Sequence, residues 1–119
     1  MMDRDLKIRN KKKFALEIIA LISELPKNNA GFVLGNQIMK SGTSVGANYR
    51  SAQRGRSKAE FISKLGIVQE EADETIFWLE LILESNLLPK EKVAPLLKEA
   101  DELTAIFTTM LINAKKNFG

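Results

Sequence analysis

Apolar residues recur along this chain at spacings of three and four, and three short stretches rich in Gly, Pro, Asn or Ser interrupt the pattern. That period is helical. The first predicted helix covers residues 5–25, with Phe14, Ala15, Ile18, Leu21, Ile22 and Leu25 on one broad face and Pro26 ending it. The stretch PKNNAG reads as a turn. The second covers residues 32–53, where Leu34, Ile38, Val45, Tyr49 and Ala52 share a face flanked by Gly35, Gly42 and Gly46. Each interior glycine costs about 1 kcal/mol relative to alanine, so this helix needs a neighbour packed closely against its glycine flank.

Gly55 then reads as a helix stop, and Ser57-Lys58-Ala59-Glu60 as a capping box opening a third helix that extends to residue 85. Its core stripe is Phe61, Leu65, Val68, Ala72, Ile76, Leu79 and Leu83. After a turn at 86–89, a fourth helix carries Val93, Leu96, Ala100, Leu103, Phe107, Met110, Leu111 and Ala114. Pro95 predicts a short turn over residues 90–93 with the main helix starting at Ala94. No strand alternation and no internal repeat interrupts this reading. The expected fold is all-α, an antiparallel up-down-up-down four-helix bundle forming one domain over residues 1–119.

Composition removes several function classes. The chain has no cysteine and no histidine, which excludes disulfides, thiolate metal sites and the commonest general base. No apolar run approaches the ~20 residues that span a bilayer, and the charged N-terminus does not read as a signal peptide. The expectation is a soluble cytoplasmic protein with no membrane role, no cofactor and no enzymatic activity.

Charge changes the picture more than composition does. The net charge of +3 conceals +8 over residues 1–64 and −5 over residues 65–119. In an up-down-up-down bundle the start of helix one, the end of helix two, the start of helix three and the end of helix four share one pole. Lys11, Lys12 and Lys13, Arg50 and Arg54, Arg56 and Lys58, and Lys115 and Lys116 fall in those four segments. Cations at the start of helix one oppose the helix dipole, and Arg50 and Arg54 crowd like charge four residues apart. Lys11, Lys12, Lys13, Arg50, Arg54, Arg56 and Lys58 are therefore the candidate nucleic-acid-binding residues, acting on phosphates. No free aromatic interleaves with them, so base stacking is not expected.

Two catalytic or metal motifs fail on context. Gly42-Thr43-Ser44-Val45-Gly46 matches Gly-x-Ser-x-Gly, but no strand precedes it and the chain lacks a histidine base. Glu70, Glu71, Asp73 and Glu74 lie mostly off the core stripe, and helix two offers no Asp or Glu for a bundle metal site. Helix three is also too apolar for a simple surface helix. With Leu79 inward, Ile67, Trp78 and Leu81 form a second stripe, the expected interface of a homo-oligomer, the alternative being that Trp78 tucks against the first or fourth helix of its own bundle.

The stretch SGTSVGANYRSAQRGRSKAEFISKLGIVQEEADETIFWLELI combines a small-residue helix, a basic glycine-containing turn and a Ser-x-x-Glu-Phe helix start. It resembles the core signature of bacterial four-helix bundle proteins associated with 23S ribosomal-RNA intervening sequences. Asn48, Arg54, Gly55, Ser57, Glu60 and Phe61 occupy the motif positions. AQRGRS departs from the many members that carry an acidic residue before the glycine. The resemblance implies an antiparallel four-helix bundle assembled as a ring-shaped pentamer. It also implies kinship with the accessory variability proteins of diversity-generating retroelements, which bind nucleic acid through a basic surface. The alternative is a structural scaffold that docks a partner protein, such as a reverse transcriptase or a ribosomal component.

Overall fold

A computed structural model describes residues 12–118. Among them are four helices and no strand: α1 (Phe14–Ser23), α2 (Asn29–Gln53), α3 (Lys58–Glu84) and α4 (Lys90–Phe118). Successive helices pack side by side, most extensively α2 on α3 and α3 on α4, and α1 closes the bundle against α2 and α4. The body measures 48 × 23 × 20 Å. Its length matches helices of 27 and 29 residues at about 1.5 Å per residue. This is the expected up-down-up-down bundle.

The core is one apolar column with Phe14, Ile18, Ile38, Val45, Leu65, Val68, Leu79, Leu103 and Phe107 almost fully buried. Tyr49 and Phe107 meet across it with ring centroids 5.5 Å apart. α1 is the neighbour that the glycine flank of α2 requires. A Cβ on Gly42 would stand 2.9 Å from Ile18 Cγ1, whereas one on Gly35 would reach ordinary contact at 3.4 Å from Ile22 and Leu25.

The core stripe of α3 differs from its predicted one. Ile82 is buried where Leu83 is only partly so, and Thr75 is buried with Ser41 of α2. Their hydroxyls lie 2.9 Å apart, and Thr75 also donates to the Glu71 carbonyl at 2.7 Å. Apolar periodicity is blind to such a pair, because each hydroxyl offsets its own burial through the other.

Helix ends follow capping chemistry. α2 begins at Asn29, three residues before the predicted start, because the Asn28 side chain accepts the Gly31 N–H at 2.9 Å. The PKNNAG stretch thus supplies both the cap and the first helical turn. α1 ends at Ser23 rather than residue 25, tightening through Glu24 N–H to Leu21 C=O and Leu25 N–H to Ile22 C=O. Of its predicted start, residues 5–11 lie outside the described residues. α3 ends with Asn86 at φ 61°, Asn86 N–H on Leu83 C=O and Leu87 N–H on Ile82 C=O, the Schellman arrangement.

The predicted break before Ala94 is absent, since α4 runs from Lys90 through Pro95. Pro95 sits on the exposed side in the second turn. The carbonyl it leaves without a helical donor is that of Glu91, also an exposed residue, so the lost bond falls on the solvent side and the helix continues.

Candidate nucleic-acid interface and association surface

The turn between α2 and α3 is hydrogen-bonded at both ends and carries three cations. Arg54 caps α2, its N–H shared between the Arg50 and Ser51 carbonyls, and Gly55 N–H closes on Ala52 C=O at 3.1 Å. A Cβ on Gly55 would press on that same carbonyl at 3.1 Å and on the Phe61 amide nitrogen at 3.3 Å, so a glycine stands there. Ser57 Oγ accepts the Glu60 N–H at 3.1 Å, and Glu60 Oε1 accepts the Arg56 N–H at 3.3 Å. The predicted capping box forms, with the carboxylate returning to Arg56 rather than to the cap residue's own amide. Arg54, Arg56 and Lys58 project from this turn and are exposed.

Lys12 and Arg50 lie elsewhere. They line a recess of about 330 Å³ on the side of the α1/α2 pair, over Thr43, Gly46 and Ala47. Lys13 is exposed beside them in sequence, and Lys115 and Lys116 occupy the last turn of α4. Lys11 lies outside the described residues. The predicted basic set therefore divides into a lateral pair and a turn triplet at the same end of the bundle. Among the described residues, no carboxylate side chain is within ion-pair distance of Arg50, Arg54, Arg56 or Lys58.

Gly42–Gly46 lies in mid-helix, where the Ser44 hydroxyl donates to the Lys40 carbonyl at 2.6 Å, so the serine is not presented on a strand-to-helix elbow.

On α3, Ile67 and Leu81 are each 37% exposed. Trp78 is half-buried against the edge of the core, with Nε1 donating to Glu74 Oε1 at 3.3 Å. The residue that the apolar pattern does not single out is Phe77, 51% exposed and edge-on to Trp78 at 5.0 Å. Its signal is the consecutive Ile76-Phe77-Trp78-Leu79, which must send one large side chain outward. Periodicity alone does not show that Trp78 turns back against its own bundle. The carboxyl of Glu71 is raised above its ordinary value, first by burial and then by the like charges of Glu74 and Glu70, with Lys40 opposing.

Residues 4–109 match the model of the 23S rRNA-intervening sequence protein family. The chain belongs to that family. The bundle is also similar to the crystal structure of a protein of unknown function from the S23 ribosomal protein family of Bacteroides thetaiotaomicron. The two share 34% identity over 89% of this chain and 97% of the other, with a TM-score of 0.81. No curated relative matches. Among the described residues, no helix of this intervening-sequence family member is long and apolar enough to cross a membrane.

Proposed function

We propose that this intervening-sequence family protein is a non-enzymatic, cytoplasmic homo-oligomer, a pentamer by its resemblance, that binds RNA or DNA phosphates through its basic end. The observation that carries the reading is the turn triplet of Arg54, Arg56 and Lys58, exposed on the hydrogen-bonded turn between α2 and α3 and without carboxylate partners among the described residues. Lys12, Lys13 and Arg50 extend the positive surface around the same end, drawn from separate stretches of sequence. Exposed cations without carboxylate partners are available to phosphate, and the bound polyanion releases its counterions. The family's association with an rRNA insertion fits RNA as the polyanion.

Fluorescence anisotropy with a generic labelled oligonucleotide, repeated over a range of salt, tests this. R54Q/R56Q/K58Q weakens binding about equally for unrelated sequences, because cations that meet phosphate carry no base information. Its salt slope is shallower by about 0.7–0.9 for each phosphate that is no longer neutralised. A wild-type protein without affinity for RNA or DNA at low salt overturns the reading. That result favours the second one, a scaffold that docks a partner protein, for which the exposed Phe77 speaks.

A further inference from the structure

Two lateral faces of the bundle pair exposed apolar residues with charge, and the charge is opposite on the two. Lys12 lies just ahead of α1 and its exposed Ile19, and on α3 Glu70 precedes the exposed Phe77 by seven residues. Seven residues return to within about 20° of the same direction and rise about 10 Å, so Glu70 and Phe77 lie along one face of α3. α1 and α3 run the same way in an up-down-up-down bundle.

The faces are also level. Ile18 packs at Gly42 and Ser41 bonds Thr75, which places residues 18 and 75 at about the same height. With the one-residue step between 41 and 42 counted, Ile19 and Phe77 differ by about 3 Å along the axis. α2 reinforces the basic side, since Met39 (37% exposed) and Arg50 fall within about 20° of one another, and Arg50 shares the recess with Lys12. On α3, Glu74 and the exposed Leu81 repeat the acidic and apolar pattern one turn on. Glu70, Glu71 and Glu74 lie within one turn of each other on α3; burial first raises the Glu71 carboxyl, and the like charges of Glu74 and Glu70, offset only in part by Lys40, raise it further.

We infer that a second copy of this chain is the partner of both faces, with the α3 face of one protomer seated on the α1/α2 face of the next. Phe77 meets Ile19 and Met39, and Glu70 and Glu74 meet Lys12 and Arg50. Matching heights allow a neighbour related by rotation about an axis parallel to the helices. Two different patches make the contact heterologous, which closes into a ring when the rotation permits. The inference rests on the self-association within the proposed function and adds which surfaces meet. It also assigns the lateral cations to assembly and leaves Arg54, Arg56 and Lys58 for phosphate.

Sedimentation velocity at physiological salt tests the pairing, with circular dichroism confirming that helicity is kept. E70K/E74K shifts the protein from the wild-type oligomer toward the protomer mass, and K12E/R50E does the same. Combining all four substitutions restores the wild-type sedimentation coefficient, because attraction returns with its sign exchanged. A wild-type monomer at tens of micromolar overturns self-association and this pairing together. An oligomer that neither reversal changes, or that the combined variant fails to restore, overturns the pairing alone and leaves self-association standing.

Discussion

At the scale of single residues, the bundle is governed by what each helix face lacks. Gly42 is a glycine because Ile18 occupies the space of its Cβ, while Gly35 faces neighbours at ordinary distance. The two positions therefore respond differently to the same change. Gly42→Ala forces the branched Ile18 side chain to move and lowers stability by about 1–3 kcal/mol, the usual cost of overpacking a core. Gly35→Ala leaves stability unchanged or raises it by up to about 1 kcal/mol through helix propensity. Urea denaturation of the two variants decides this, and equal midpoints would show that α1 does not rest on Gly42. The glycine flank is legible in sequence, as is the need for a close neighbour. Which glycine bears the contact is not, since all three lie on one side of the same helix.

At the scale of elements, boundaries follow hydrogen bonds that apolar patterns do not encode. The Ser57 box and the Gly55 stop are legible because both are local and carry distinctive residues. The Asn28 cap is obscured by surrounding turn-forming residues, and Pro95 reads as a break because its place relative to solvent is not in the pattern. Pro95→Ala restores an N–H opposite the Glu91 carbonyl and raises stability by about 1–2 kcal/mol. That is the ~3 kcal/mol interior proline penalty less ~1 kcal/mol for the freer unfolded chain. Thermal unfolding checks the sign. A loss of stability would mean that Pro95 fixes the start of α4 instead of weakening it.

At the scale of the whole molecule, the same chain sorts its large apolar residues into two tasks. Phe107 is fully buried against Tyr49, and Phe77 is half-exposed on α3. Phe107→Ala costs about 3–5 kcal/mol of folding stability through the cavity it leaves. Phe77→Ser changes protomer stability by no more than about 0.5 kcal/mol, as surface substitutions do, and shifts the protein to smaller species in sedimentation. A Phe77→Ser protein that keeps the wild-type assembly would remove this aromatic from the surface shared between copies.

The sequence by itself determined four helices, their order, their antiparallel packing and the gathering of positive charge at one end. These are set by period, punctuation and connectivity, which a chain with short loops can satisfy in few ways. Tertiary structure alone decided that Trp78 turns back against its own bundle while Phe77 stays out, and that Ser41 and Thr75 share a buried bond. It also divided the cations, with Lys12 and Arg50 in a lateral recess and Arg54, Arg56 and Lys58 on the end turn. Each of these depends on how far one helix is rotated and shifted against the next. A rotation of about 20° or a slide of one residue leaves the apolar pattern intact while exchanging which side chains meet.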